Sequence, residues 1–290
     1  MQNQRRQLAG LLFITPQLIG LLVFSLFPVM YALVLSFMDW DGFGARTFVG
    51  IANFVDQFNN PDFWTAMRNT IYYMVLVIPF NISLSLLVAV GLNKVTGKGL
   101  YRVFYFMPVV TSSVSIGVIW MWILNGDFGI LNSLLAHLGV QGPDWLTDTN
   151  WVIPSIAMLS IWWGLGNNMV IFLAGLQGIS RSYYEAAEID GASRFRQFLS
   201  ITLPLLSPTT FFIAIMAIIN SFQVFDQAFV MTNGGPAKAS YTIVYHIYQQ
   251  GFIDFKMGQS AASAMILFCI ILVFTLIQFK MSKRWVHYGE

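Results

Sequence analysis

Amide and aromatic side chains stand together at two points of an otherwise apolar sequence, and their chemistry suits a ligand rich in hydroxyl groups. The first group, within residues 149–180, is Trp162, Trp163, Gly164, Asn167 and Asn168. The second, towards the end of residues 197–225, is Asn220, Ser221, Phe222, Gln223 and Phe225. Aromatic rings cover the C–H face of a sugar, and amides bond its hydroxyls.

Two interpretations of these amides are open. Adjacent amides such as Asn167 and Asn168 are costly in hydrocarbon unless they face the interior of a helix bundle or a cavity. They therefore either line a translocation pathway or bond neighbouring helices to one another. Asp226 is the carboxylate at the edge of the second group. It is expected to pair with a backbone or partner group and need not touch a substrate.

The polar connection 181–202 predicts a helix–turn–helix that lies along a membrane surface. Ser182 and Glu185 match a capping box, which favours a helix start, and Asp190-Gly191 predicts its end. A second short helix is expected from Ser193, and Pro204 is expected to open the next apolar helix. The alternative is a solvated connecting loop. Small alanines favour contact with another surface, because they let it approach closely.

Motifs for catalysis are absent from the sequence. It contains no G-x-x-x-x-G-K-[ST] run, which an ATPase needs to hold phosphate and magnesium, and no G-x-S-x-G run. The single cysteine, Cys269, excludes a C-x-x-C site. The chain is therefore not expected to be an enzyme or to bind a cofactor or metal of its own.

Composition indicates an integral membrane protein. Apolar residues make up 57% of the chain and charged residues only 10%, whereas soluble domains average about 25% charged residues. A soluble enzyme and a disordered chain are both excluded. The net charge of +2 is too small to indicate nucleic-acid binding.

Six stretches without charged residues are long enough to cross the hydrocarbon layer, which takes about 20 residues. They predict an all-α, polytopic fold with six transmembrane helices in one domain, 1–290. The spans are expected at approximately 10–37, 69–93, 103–125, 152–179, 203–226 and 258–280, with the polar loop at 181–202. Because these stretches lack ionisable residues, half of an ion-coupled secondary transporter is disfavoured as an alternative.

The distribution of positive charge predicts the orientation, since cytoplasmic loops are enriched in Lys and Arg. If the N-terminus lies inside, four of the 15 Lys and Arg residues fall outside, namely Arg46, Arg68, Lys238 and Lys256. Both termini are therefore expected in the cytoplasm.

Two motifs resemble the permeases of ATP-binding-cassette importers. The first is Glu185-Ala186-Ala187, then Gly191, Ile201, Leu203 and Pro204, with the spacing of the EAA loop. The second runs from Phe225-Asp226 through Thr232-Asn233-Gly234-Gly235-Pro236 to Gly251-Phe252, and is similar to carbohydrate permeases of the maltose and glycerol-phosphate type. The resemblance covers nearly the whole chain and implies the type I importer permease fold.

The resemblance also implies partners and site residues. The partners would be a second homologous permease, two ATPase subunits that hold ATP and Mg, and an external substrate-binding protein, in a prokaryotic cell membrane. The substrate would be a carbohydrate, with a neutral oligosaccharide favoured over glycerol 3-phosphate, but the sequence does not identify it. Residues expected to couple to the ATPase are Glu185, Ala186, Ala187, Asp190, Gly191 and Arg194. Pathway positions matched to the family are Trp162, Trp163, Gly164, Asn167, Asn220, Ser221 and Val224, to which Asn168 and Gln223 are added on chemistry.

Overall fold

The computed structural model describes residues 2–93, 95 and 97–286, and this part of the chain is mostly helical. Residues 1, 94, 96 and 287–290 of the domain predicted for 1–290 lie outside the described residues. The all-α fold class predicted from composition and hydropathy is confirmed. One feature was not predicted, a two-stranded antiparallel hairpin that pairs Met38 with Phe48 and Asp39 with Thr47.

The elements follow in chain order. The helices are α1 (Gln2–Leu21), α2 (Phe27–Leu35), α3 (Ala52–Asn59), α4 (Pro61–Asn93), α5 (Lys98–Val110), α6 (Ser113–Ile123), α7 (Ile130–His137), α8 (Val152–Gln177), α9 (Arg181–Ile189), α10 (Arg194–Gln197), α11 (Leu203–Leu205), α12 (Ser207–Phe222), α13 (Asp226–Thr232), α14 (Ile243–Tyr248) and α15 (Met257–Trp285). The strands are β1 (Met38–Asp39) and β2 (Thr47–Phe48). Turns of π-helix occupy Leu22–Leu26, Phe198–Thr202 and Gln249–Ile253.

Within the described residues, four helical segments are continuous and apolar enough to cross a membrane: Phe13–Leu35, Pro61–Asn93, Val152–Gln177 and Met257–Trp285. The two remaining predicted spans are broken. Gly99–Val110 and Ser113–Ile123 meet at an angle of 99°, and Arg194–Leu205 and Ser207–Phe222 meet at 63°. If each bent pair is one span, the described residues contain six spans, which agrees with the six predicted; the bends within two of them were not predicted.

The break at Thr111 and Ser112 has a local cause. Both residues are extended, with ψ of 145° and 134°. Pro108 lies three residues earlier inside α5 and has no N–H to donate. Hydroxyl side chains compete for backbone hydrogen bonds, so the Thr111-Ser112-Ser113 run favours a helix boundary.

The fifth predicted span, 203–226, is displaced. The long helix α12 begins at Ser207 and ends at Phe222. Pro204, expected to open this helix, lies in the short α11 before the bend, and Pro208 instead occupies the first turn of α12. Proline fits the first helical turn because the N–H it lacks would have no partner there. Asp226 belongs to α13, after a three-residue break.

The chain divides into two compact units. One comprises the chain up to Pro61 together with residues 246–269, and the other comprises 62–245 and the chain from Ile270 onward. In the first unit, only 6% of the apolar segment near the N-terminus is buried. The amide of Asn53 on α3 donates to the carbonyls of Ser36 and Met38, at 3.0 and 2.8 Å, and fixes the start of the hairpin.

Among the described residues of the second unit, two apolar clusters form a core, and α4 and α8 pass through both. In the first cluster, Tyr73 and Val77 of α4 pack with residues 152–159 of α8. In the second, Ala89 and Leu92 of α4 pack with residues 169–176 of α8. Between the clusters both helices carry polar side chains, so this middle section is where a polar site can form.

Gly166 lets α5 approach α8 closely. A methyl group at Gly166 would overlap the backbone carbonyl of Tyr105, which is part of α5. The indole N–H of Trp163, one turn earlier on α8, donates to the carbonyl of Pro108 at 2.8 Å. A backbone cannot swing aside as a flexible side chain can, so a side chain at position 166 must separate the two helices.

We expect Gly166→Ala to destabilise the second unit by about 1–3 kcal/mol, the usual cost of overpacking. The matched control is Gly91→Ala on α4, where a methyl group would meet no atom within 4 Å and where helix propensity favours alanine by about 1 kcal/mol. Thermal denaturation of the purified protein in detergent measures both. Equal midpoints for the two variants would contradict the close approach.

Candidate functional site

The second unit contains a cavity of about 440 Å³. It lies between α4, α8 and α12, and the break between α12 and α13 forms one end. The described residues that line it are Tyr73, Val77, Asn81, Ser160, Trp163, Gly164, Asn168, Ala217, Asn220, Ser221, Gln223, Val224, Phe225, Asp226 and Gln227. The volume falls in the range of about 300–1,000 Å³ found for small-molecule sites.

Each of the three helices presents one stripe of residues to the cavity. The stripe on α4 is Tyr73, Val77 and Asn81, on α8 it is Ser160, Trp163, Gly164 and Asn168, and on α12 it is Ala217, Asn220 and Ser221. Spacings of three and four residues place side chains on the same helical face. Three sides of the cavity are therefore built from regular helices, which keep their polar groups in fixed positions, and the break after α12 closes one end.

Hydrogen bonds join α4 to α8 beside the cavity. The amide nitrogen of Asn81 donates to the carbonyl of Ile161 at 2.9 Å, and Asn168 donates to the amide oxygen of Asn81 at 2.6 Å. Ser85, one turn along α4, donates to the carbonyl of Leu165 at 3.2 Å. A methyl group at Gly164 would lie 3.0 Å from the Asn81 amide nitrogen, so glycine makes room for this amide.

Seven of the nine pathway residues proposed from the sequence line the cavity, namely Trp163, Gly164, Asn168, Asn220, Ser221, Gln223 and Val224. Trp162 and Asn167 do not. Trp162 is 45% exposed and its ring centroid lies 5.9 Å from that of Trp120. Asn167 is exposed, and within the described part of the chain its side chain donates one hydrogen bond, to the amide oxygen of Asn168 at 3.5 Å. Asn168 bonds α4 and also lines the cavity. It is therefore compatible with both interpretations of the amides, bonding between helices and a translocation pathway.

Sequence reasoning missed the contribution of α4. Asn81 lies near the middle of an uncharged stretch, 69–93, just as Asn167 and Asn168 lie well inside the uncharged stretch 149–180. The rule that flagged Asn167 and Asn168 would have flagged Asn81 as well. Tyr73 and Val77 carry no such signal, since an aromatic and an aliphatic residue are ordinary in an apolar helix.

The polar loop begins differently from the predicted capping box. Ser180, not Ser182, is the residue that caps α9: it is extended, and its hydroxyl accepts a hydrogen bond from the backbone N–H of Ser182 at 3.3 Å. Ser182 is already helical. Glu185 is therefore the fifth residue of the helix, two positions beyond the third residue that a capping box requires.

Gly191 ends α9 in a Schellman motif. Its φ is +75°, its N–H donates to the carbonyl of Glu188 at 3.0 Å, and the next N–H, of Ala192, donates to Ala187 at 2.8 Å. This pattern satisfies the last carbonyls of the helix and needs a left-handed residue. Asp190 is the C-cap, and Ser193 caps α10 through the backbone N–H of Arg196.

The loop offers an uncovered surface. Glu185, Ala186 and Arg194 are exposed, and among the described residues Glu185 and Arg194 form no ion pair. Two large apolar side chains flank the turn, with Ile189 87% exposed and Phe195 72% exposed. Apolar side chains ringed by unpaired charges are typical of a surface that contacts another protein.

Comparison with known proteins identifies the family. Residues 81–287 match the family model described as the binding-protein-dependent transport system inner membrane component. The chain belongs to this family. It is a multi-pass membrane permease of a transport system.

Individual relatives align over the whole chain. The sn-glycerol-3-phosphate transport system permease protein UgpA of Agrobacterium fabrum is 36% identical, covering 96% of each chain. The arabinooligosaccharides transport system permease protein AraP of Bacillus subtilis is 34% identical, covering 96% of this chain and 89% of AraP. A crystal structure of a bacterial ABC transporter that imports alginate superposes with a TM-score of 0.84 at 23% identity, covering 98% of both chains. This last similarity concerns the fold.

Two of the cavity asparagines, Asn168 and Asn220, provide a test of structural against pathway roles. Asn168→Leu removes a bond to Asn81 and should lower stability by about 0.6–2 kcal/mol, the range for interhelical hydrogen bonds in membranes. Asn220 is exposed and lines the cavity, and its side chain makes no hydrogen bond to the described residues. Asn220→Leu should therefore leave stability unchanged and reduce transport. The denaturation midpoint and the uptake per assembled transporter are the readouts. A lower midpoint with normal uptake in Asn220→Leu, together with an unchanged midpoint in Asn168→Leu, would contradict the assignment.

Proposed function

We propose that this chain is a permease subunit of an ATP-binding-cassette importer. Together with a second homologous permease it forms the pathway for a neutral oligosaccharide, which an external binding protein delivers. The observation that carries the proposal is the cavity of about 440 Å³, because its amides, hydroxyls and aromatic rings are the groups that bind sugars. The family description supports the dependence on a binding protein.

The choice of a neutral carbohydrate rests on the charges of the cavity. Phosphate is bound in proteins by Arg and Lys, and none of the cavity-lining residues that the structure describes is Lys, Arg or His. The arabinooligosaccharide relative supports a sugar. Glycerol 3-phosphate is the second candidate, favoured by the relative from Agrobacterium fabrum that is named for it.

ATP hydrolysis is assigned to two partner subunits, which hold ATP and Mg, while this chain binds no cofactor. The sequence has no phosphate-binding loop. The surface around α9, Gly191 and Arg194 is the proposed docking site for the ATPase. Glu185 and Arg194 would form ion pairs at its rim, and the alanines Ala186 and Ala187 would permit close approach. Asp190 and Gly191 would set the angle between α9 and α10.

The orientation follows from the same proposal, since the docking loop must face the nucleotide. Only Arg46, Arg68, Lys238 and Lys256, of 15 Lys and Arg residues, would lie outside. Both termini are then cytoplasmic, in the cell membrane of a prokaryote. The loops on the opposite side, which include α7, would face the binding protein.

Cysteine labelling tests this orientation. In a Cys269→Ala background, which removes the only native thiol, we expect Asp127→Cys to react with a membrane-impermeant maleimide from outside. Ser182→Cys should react only after permeabilisation, because the positive residues around it stay in the cytoplasm. The Cys269→Ala parent gives the background signal. Labelling of Ser182→Cys from outside would reverse the topology.

The coupling role of the loop is tested by affinity purification of the transporter. We expect the wild-type complex to contain a second permease and two ATPase subunits. Gly191→Val should strain a left-handed turn by about 1–3 kcal/mol, reducing ATPase retention and uptake while membrane insertion stays normal.

The matched control is Gly139→Val. Gly139 ends α7 with a φ of +76°, with the same pair of backbone bonds and with equally open space around it. It carries the same local strain at a site distant in sequence from the loop. ATPase retention that falls equally in both variants, or in neither, would contradict the docking site. A purified complex without ATPase subunits would contradict the proposed function itself.

A further inference from the structure

Asp226 is the only charged side chain among the described residues that line the cavity. It is the first residue of α13, directly after the break that ends α12. A carboxylate within an apolar bundle is stable only if it is paired or faces water, and such groups mark substrate or ion pathways. No Lys, Arg or His lines the described cavity, so Asp226 has no cation beside it there.

Among the described residues, one of the two carboxylate oxygens of Asp226 has a hydrogen-bond donor. Ser113 donates its hydroxyl hydrogen to Oδ2 of Asp226 at 2.7 Å. Ser113 is the first residue of α6, immediately after the 99° bend. Two helix breaks therefore meet at this bond. Among the described residues no side chain or backbone group donates to Oδ1, and the Asp226 side chain is exposed.

An ionised carboxylate can only accept hydrogen bonds, so a ligand that displaces water from the free oxygen must supply a donor such as a hydroxyl group. Such charge-assisted bonds are roughly twice as strong as those between neutral groups. The amides of Asn220 and Gln223, six and three residues before Asp226, also line the cavity and can both donate and accept. A sugar presents hydroxyls that match this set, whereas a carboxylate or phosphate would be repelled by Asp226.

We propose that Asp226 is a substrate-binding residue, whose Oδ1 accepts a hydrogen bond from a hydroxyl group of a neutral sugar. Ser113 acts as a positioning residue that holds Oδ2 and turns Oδ1 towards the cavity. The inference rests on the proposed function and deepens it, because one residue then both binds sugar hydroxyls and excludes anionic sugars from this end of the cavity.

A purely structural role is the competing explanation. Asp226 lies in the first turn of α13, where a negative charge is favourable, and its bond to Ser113 ties α13 to α6. However, these helices are also held by direct packing, since a methyl group at Gly117 would stand 2.9 Å from Val230. The bundle at this point does not depend on the carboxylate alone.

The test uses the whole transporter, reconstituted in vesicles with its ATPase subunits and binding protein. The neutral probes are lactose, maltotriose and arabinotriose, and the anionic probes are the aldonates made by oxidising the reducing end of each. Asp226→Asn keeps the shape of the side chain and an oxygen that can accept from Ser113. Asp127→Asn is the control, because Asp127 is exposed and does not line the cavity.

We expect Asp226→Asn to reduce uptake of the neutral probe per assembled complex about tenfold, the loss of one charge-assisted hydrogen bond. The ratio of aldonate to parent sugar uptake should rise, since the repelling charge is gone. Ser113→Ala should lower neutral uptake less and leave that ratio unchanged, because the charge remains. Asp127→Asn should leave the ratio of aldonate to parent sugar uptake at the wild-type value, because Asp127 does not line the cavity.

Normal neutral uptake and an unchanged aldonate ratio in Asp226→Asn would overturn the proposal. So would loss of assembled complex in both Asp226→Asn and Ser113→Ala with normal uptake by the complexes that remain, which would make Asp226 structural. Wild-type import of an aldonate in preference to its parent would also overturn it. A wild-type transporter that imports none of these sugars would contradict the proposed function, and with it this inference.

Discussion

The hydrogen-bonded chain from Ile161 through Asn81 to Asn168 is the interaction on which the cavity depends. Hydrocarbon supplies no hydrogen-bond partners, so polar groups at membrane depth must be satisfied within the protein. These bonds, of 2.9 and 2.6 Å, fix the register of α4 against α8 between two apolar clusters. The cavity wall exists because both helices can turn polar side chains inward there without leaving them unpaired.

Helix breaks supply the rest of the site. The breaks at Thr111–Ser112 and at Gln223–Phe225 interrupt helices that would otherwise be continuous. Each break frees backbone groups that must find partners, which is tolerated in a membrane protein only beside a cavity or another chain segment. The break after α12 places Phe225, Asp226 and Gln227 at one end of the cavity. The irregular backbone and the polar side chains therefore occur at the same end of the cavity.

Much of this organisation could be predicted from the sequence, and the failures have physical causes. Hydropathy located six apolar segments because chain length per crossing is set by the membrane. Asp190-Gly191 revealed the turn because only glycine takes φ of +75° cheaply. The contact between Asn81 and Asn168 could not be predicted, because it joins positions 87 residues apart in sequence. The bend at Thr111 was hidden since threonine and serine barely alter the hydropathy of the segment.

The unequal burial of the apolar segments has a consequence for sequence drift. Only 6% of the Phe13–Leu35 segment is buried, against 44% for Val152–Gln177. The Phe13–Leu35 segment makes few contacts within its own chain. Where hydrocarbon surrounds it, any aliphatic or aromatic side chain fits almost equally well. The Val152–Gln177 segment instead packs against side chains of neighbouring helices, which limit the size of its own. Among related transporters, residues 13–35 should exchange freely within the apolar class, while α8 should preserve the size of each side chain and the positions of its glycines.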